Sequence, residues 1–506
     1  MTEMLSGTAG KEKSALPHSG IRSILQWLEL PAAPHPAEEV PSLRSHLKAL
    51  HDVEASPPQR ADAFGRLYAR SMTVISDLVS ALGNDLVLPV PRKERRLVRS
   101  VIDLLQMLAD DTRTLSELPE QRFGTSASSA LALWRSVDAL TQQLLIGHLI
   151  ASPARPGTWQ QLHQTYAAAR GLQLQNALPV GAKHSLQNVY HSAVLLGCAQ
   201  PASLTPREIV FLSECFARHA DQIEALSRVT AAEPDTFLID PQRDVPAIPS
   251  LRKGIVPLAA LDGFSCYRLC MLLRSHIAQL EAGALPAAID LPDFAGTPGG
   301  LGVLRRLVRR WGEPAKRRFQ RRRQDHRTLL ATGIEGLWQL SRKGESTSVD
   351  LSTWMITNAS PDGYAVMHVS GNTGAISVGD VVTIRPGSSP DWQICMVRWA
   401  ASENPEHLEL GLQLLAPRAE PAILARRATN QGAEYLQVLI LPAIPKLRDR
   451  QSLVVASGAL PREERRKLLL LTEGQNVVVR EVDASQVDEQ TGSVEILSIE
   501  TSDDPF

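Results

Sequence analysis

The sequence predicts a multidomain α+β protein: an α-helical N-terminal bundle or short solenoid, then an antiparallel β-barrel, then a small C-terminal β domain. Three observations predict it. At 506 residues the chain exceeds what one hydrophobic core organises. From about residue 60 to 312, apolar residues recur at helical spacing. Beyond Pro314, short β-branched and aromatic runs take over, punctuated by Gly, Asn and Pro. The expected organisation is a partly disordered lead-in over 1–55, a helical interaction domain over 56–312, a barrel with an arginine-rich arm over 313–418, and a small β domain with a frayed tail over 419–506.

The helical part is read from stripes and caps. Leu97, Val101, Leu104, Leu105 and Leu108 form one face, and Trp134, Val137, Leu140, Leu144 and His148 continue the pattern in the next helix. Thr158 is expected to cap a helix with Trp159, Leu162 and Tyr166 inward, and Ser185 the following one. Thr205-Pro206-Arg207-Glu208 is a capping box with Pro at the first helical position. The stretch WQQLHQTY has the spacing of a tetratricopeptide opening, but no repeat of that period follows it. Pro- and Gly-rich residues 230–260 and 284–300 read as spacers. After these come WMITNAS, GYAVMHVS, DVVTIRP, DWQICMVRWA and HLELGLQLL, spaced as strands of a closed or sandwiched sheet, and past Arg418 a second β series.

Lys plus Arg (53) balance Asp plus Glu (54), so no whole-chain field favours nucleic acid or membrane. The N-terminus lacks the apolar core of a secretory signal. The most apolar helical stretch carries Arg135, Asp138 and His148, which suits a buried helix and not a span. Five cysteines suit reduced thiols in a cytoplasmic setting, and Cys266 and Cys270 read as core residues without a metal. No nucleophile elbow, Walker loop, HExxH or dinucleotide fingerprint is present, so catalysis is not expected.

Local chemistry is richest at two places. Arg323 and Arg327 stand four apart just ahead of the first strand-like run. Guanidinium forks match phosphate oxygens and the O6/N7 edge of guanine, where a lysine supplies only charge. Further on, Asn358-Ala359-Ser360-Pro361-Asp362-Gly363 places short polar side chains and a Gly at a turn between two strands. In order, RxxxR then NxSxxG resembles the PilZ family, over about 319–418, with Gly411 in that family's late glycine position. The resemblance implies a PilZ-type barrel that receives cyclic di-GMP, without cofactor or metal. It implies that Arg323 and Arg327 clamp the ligand, that Asn358 and Ser360 contact guanine, and that Gly363 lets a base approach. Arg318 and Arg322 share the same spacing and are additional ligand-binding candidates. The RKGESTS run at 342–348 is expected to fill the interval between the motifs as a hairpin loop, and the arm at 317–327 to be mobile until ligand fixes it.

Residues 301–327 hold eleven Lys/Arg against Glu313 and Asp325, with Leu301, Leu304, Leu307, Val308 and Trp311 on one face. This reads as a helix packed on the N-terminal unit and running into the arm. The competing readings are nucleic-acid binding through 305–327, an interfacial membrane helix, and a ligand-independent scaffold with a degenerate barrel. In the favoured reading the helical domain docks an unidentified protein partner, and the chain has no membrane span.

Overall fold

The computed structural model describes residues 20–116, 126–226, 229, 233–251, 261–312, 319–342, 349–387, 391–404, 407–427, 433–445, 448–473 and 476–501. The chain divides into two compact units, Met1–Asp77 and Leu78–Phe506. The first contains α1 (Ile21–Glu29), α2 (Pro36–Asp52) and most of α3 (Pro57–Asp85). Two helices thus occupy what the sequence suggested was a loose lead-in. Pro36 explains the difference, because it stands in the first turn of α2, where its missing N–H is no loss. Glu39, nearly inaccessible, receives Arg70 Nε at 2.5 Å and the Ala33 N–H at 2.8 Å.

In the second unit, α4 (Arg92–Ser116), α5 (Ser126–Leu149), α6 (Thr158–Gly171), α7 (Leu186–Cys198) and α8 (Pro206–His219) pack as neighbours. The predicted stripe of α4 is inside, with Val98 buried ahead of Leu97. Ser185 accepts from the Asn188 N–H, and the capping box of Thr205 and Glu208 is complete. Thr158 does not cap α6. Gly157 holds that place, and the Asp244 carboxylate accepts from the N–H groups of Gly157, Trp159 and Gln160. A carboxylate from a distant loop satisfies those orphan donors, which no local spacing reveals.

The stretch read as a spacer near 230–260 contributes to a small sheet of order β1-β4-β2-β3, made of β1 (Glu224–Leu226), β2 (Thr236–Ile239), β3 (Ile248–Pro249) and β4 (Asp262–Ser265). Then come α9 (Tyr267–Glu281) and α10 (Pro298–Gly312). Leu304, Leu307, Val308 and Trp311 of α10 are buried as predicted, and the Trp311 ring stands 5.7 Å from Phe216 and 6.1 Å from Phe237. Three of its four arginines are spoken for: Arg305 pairs with Glu281, Arg306 with Glu208, and Arg310 donates to the Ala199 carbonyl at 2.7 Å. Cys266 and Cys270 are buried, and burial pushes the Cys270 thiol up to about 11. Among the described residues no helix is long and apolar enough to cross a membrane.

His148 of α5 and His191 of α7 each have a buried ring nitrogen with no hydrogen-bond partner among the described residues. Desolvation pushes both imidazoles from 6.5 down to about 4. The folded value lies below the unfolded one, so the stability tied to neutral rings is complete above about 6.5 and lost as pH falls toward 4. The melting temperature followed by circular dichroism is expected to drop through that window. A His148→Leu variant should flatten the drop, and an unchanged slope would count against this assignment.

The rest of the chain is two closed six-stranded antiparallel barrels. The first has β5 (Arg322–Thr332), α11 (Ile334–Ser341), β6 (Ser352–Ser360), β7 (Gly363–Ser370), β8 (Val381–Pro386), β9 (Gln393–Asn404) and β10 (His407–Ala416), in the order β10-β7-β6-β5-β8-β9. The second has β11 (Glu420–Arg427), β12 (Ala433–Leu441), β13 (Ser452–Ala456), β14 (Leu468–Glu473), β15 (Val477–Gln490) and β16 (Val494–Thr501). Closure removes the exposed edges a small open sheet would present. Helix α11, and not a hairpin loop alone, fills the interval between the two motifs; residues 343–348 lie outside the described ones. Its Leu337 and Trp338 join Val381, Ile394 and Met396 of the first barrel and Leu439 and Val454 of the second in one apolar cluster. One outer side of the first barrel is therefore covered by the second. The helical layer meets the same barrel where the Arg95 guanidinium donates to the Ser402 carbonyl (2.9 Å) and hydroxyl (2.7 Å). On the outer face of β5, β6 and β7, Arg323 and Arg327 are exposed and Met355, Asn358 and Met367 partly so.

Candidate functional site

The arm expected to be mobile is largely a strand. Arg322, Arg323 and Arg327 all lie in β5, exposed, and β5 is hydrogen-bonded to β6. The backbone of six residues ahead of Thr328 is thereby fixed, because the β-propensity of the following Thr-Leu-Leu run extends into the basic segment. Arg318 lies outside the described residues. Arg322 sits opposite Ala359, and Arg323 sits opposite Asn358, so the register brings the two predicted motifs side by side.

Two bulges set the geometry. Between Arg323 and His326 of β5, and between Ile356 and Asn358 of β6, the register slips. One row of opposed residues then runs Arg323, Asn358, Ala365, Gly411, Trp399 across five strands. A second runs Arg327, Met355, Met367, Glu409, Ala401. Between them lies the row His326, Ile356, Val366, Leu410, Ala400, of which all but His326 are core residues at 3% exposure or less. Since alternate rows face opposite sides of a sheet, Arg323 and Arg327 share the outer face, although the four-residue spacing spans a bulge.

Each motif residue has a local reason for its place. Ser360 and Gly363 are opposed across the two-residue loop Pro361-Asp362. The Ser360 hydroxyl donates to Asp362 Oδ1 and to the Gly363 carbonyl (3.2 Å), which holds the loop closed. Gly363 has φ +155°, and a Cβ there would stand 2.0 Å from the Leu412 carbonyl oxygen. Only glycine tolerates that approach of β10. Neither arginine makes an ion pair among the described residues, and the Asn358 amide has no hydrogen-bond partner among them. Two cations and an amide thus present unused donors on one open face.

Trp399 is the residue that sequence reasoning missed. A third bulge at Arg398 turns the Trp399 side chain outward. A Cβ on Gly411 would fall 1.8 Å from the Trp399 Nε1, so the indole lies where the Gly411 side chain would stand. The late glycine therefore seats an aromatic ring on β10, in the row that also carries Ala365 and Asn358. The only sequence signal was the pair itself, a Trp on one strand and a Gly at its opposite register on the next. The same bulge directs Arg398 to Glu489 of the second barrel, where its Nη2 donates at 2.7 Å. Burial raises the Glu489 carboxyl, but hydrogen bonds from Arg398 and the nearby charges of Arg398, Arg306 and Arg309 outweigh it and hold the group below its usual range.

Residues 338–421 match the family model described as the middle PilZ domain of the cyclic-di-GMP receptor FimW. The first barrel is a PilZ domain. The match begins at 338 and so leaves the arginines of β5 outside it. Residues 22–230, which include the helices of the N-terminal part, match the N-terminal domain model of the same receptor. The curated Cyclic-di-GMP receptor FimW of Pseudomonas aeruginosa (strain PAO1) is 24% identical over 408 residues, 65% of this chain and 66% of that protein. The chain thus matches just under two thirds of the relative's own length. Among solved structures, one titled as MrkH, a c-di-GMP-dependent transcription regulatory factor, covers 38% of this chain and 91% of that one at 8% identity. Its TM-score of 0.14 carries no structural argument.

If this face receives a purine ligand, replacing Trp399 by Ala is expected to weaken its binding by about tenfold, because base–aromatic stacking contributes roughly 1–3 kcal/mol per base. Trp399→Phe should keep most of the affinity. Fluorescence anisotropy of a labelled ligand reads both, and equal affinity in wild type and Trp399→Ala would remove the ring from the site.

Proposed function

We propose that the chain is a receptor for cyclic di-GMP, bound on the outer face of its PilZ barrel and not inside it. One observation carries the reading: two guanidiniums and an amide without partners among the described residues stand on one face, in register with an aromatic seat. The ligand offers phosphodiester oxygens to Arg323 and Arg327, and the edge of one guanine to Asn358 and to the turn at Ser360. The names of the matched models and of the Pseudomonas relative support the same ligand. In this reading the protein senses the ligand and carries no catalysis.

We infer that binding is passed on through α10. Helix α10 precedes β5 in the chain and is anchored on α8 through Arg306 and Glu208, and on the second barrel through the Gln490 carbonyl, to which Arg306 donates at 3.1 Å. A ligand that holds the start of β5 acts on the segment joining α10 to the barrel, and the helical domain answers to an unidentified protein partner. The nucleic-acid reading is weaker, because Arg305, Arg306 and Arg310 are committed to internal partners.

A thermal-shift series tests the function. Cyclic di-GMP at concentrations far above its Kd is expected to raise the melting temperature, and GTP and single-stranded DNA to leave it unchanged. No shift with the cyclic dinucleotide, or an equal shift with DNA, would reject the reading.

A further inference from the structure

Beyond the motif residues, the open face continues across the other side of β5. Leu329 of β5 is opposed by Arg385 of β8, and Leu329 points the same way as Arg327, two residues earlier with no register slip between them. Arg385 therefore stands diagonally beside Arg327 on the outer face. Beyond Ile384, which opposes Gln393, the ladder brings Arg385 level with Trp392, and its guanidinium carbon lies 4.9 Å from the centroid of that ring. A guanidinium laid on an indole keeps its plane fixed and its edge donors free, and no carboxylate pairs with Arg385 among the described residues. The preceding outward residues of β8 and β9, Val381, Ile394 and Met396, are covered by the second barrel, so this pair marks the point where the open face begins.

Resting on the reading above, we propose that Arg385, stacked on Trp392, is a third cationic station that receives the far half of the cyclic dinucleotide, its second guanine or the phosphate next to it. The ligand then lies across β5, with one base toward Asn358 and Trp399 and the other half toward Arg385. Nothing in either motif specifies this second half. A planar, pre-oriented fork is suited to a purine edge or a phosphate, whereas a mobile lysine is not.

The test is calorimetric titration of the full chain with cyclic di-GMP, with circular dichroism melts to confirm that each variant folds. Arg385→Ala and Trp392→Ala are each expected to weaken binding about tenfold, and the double variant scarcely more, since both remove the same stacked unit. Arg385→Lys should not rescue, and Trp392→Phe should stay within about threefold of wild type. Binding by Arg385→Ala within twofold of wild type overturns the proposal, as does full rescue by lysine. Arg323→Ala separates the two claims. If it abolishes binding while Arg385→Ala does not, only this inference falls; if wild type shows no binding, the receptor reading falls and takes the inference with it.

Discussion

Replacing Arg323 and Arg327 together by Ala is expected to lower the affinity for cyclic di-GMP by a factor on the order of 100 or more. Each charge-assisted, forked contact to phosphate or guanine contributes roughly 1–3 kcal/mol, and the two act on one rigid ligand. The side chains are exposed and paired with no carboxylate among the described residues, so their removal leaves no orphaned charge and the barrel should melt as wild type does. Loss of binding with an unchanged melt is therefore the signature of a direct role. Arg323→Lys should recover only part of the affinity, because the fork and not the charge alone is used. Because phosphate contacts are screened, the wild-type affinity should also fall as salt rises, and fall less steeply in the double variant.

The second large effect concerns stability. Glu495, 1% exposed, accepts from Arg465 Nη2 at 2.6 Å, and Arg465 Nε donates to the Leu460 carbonyl at 3.1 Å. Glu495→Ala would leave a buried guanidinium without its counter-charge, which costs roughly 3–5 kcal/mol. The second barrel should then unfold at lower urea, as a transition separated from the rest, because domains in one chain need not unfold together. Replacing both partners by Leu and Met removes the uncompensated charge and should restore most of the loss. A single variant as stable as wild type would show that the pair is solvated in solution.

Much of the fold was legible in the sequence, and the failures are instructive. The strands of the PilZ barrel announced themselves because Gly, Asn and Pro punctuate β-branched runs, and the bundle because α4 and α5 carry long stripes. Helix α11 was missed because Ile334–Ser341 is eight residues, a length at which helical and strand readings of an apolar run are not separable. Strands β1 and β3, of three and two residues, are too short to show any period. The site divided similarly. The residue types at Arg323, Arg327, Asn358, Ser360 and Gly363 could be read from chemistry, and the structure sets Arg323 against Asn358. That the arm is a strand, that bulges align its two arginines, and that Trp399 and Arg385 belong to the same face all depend on register. Register between distant strands is fixed by closure of the barrel, which no local pattern encodes.

A crystal structure of the full chain with cyclic di-GMP bound tests the central claim most directly. The account predicts the dinucleotide on the outer face of the PilZ barrel, phosphates within hydrogen-bond distance of Arg323 and Arg327, and a guanine against Asn358 and Trp399. A ligand seated elsewhere, or an empty face at saturating ligand, would contradict it.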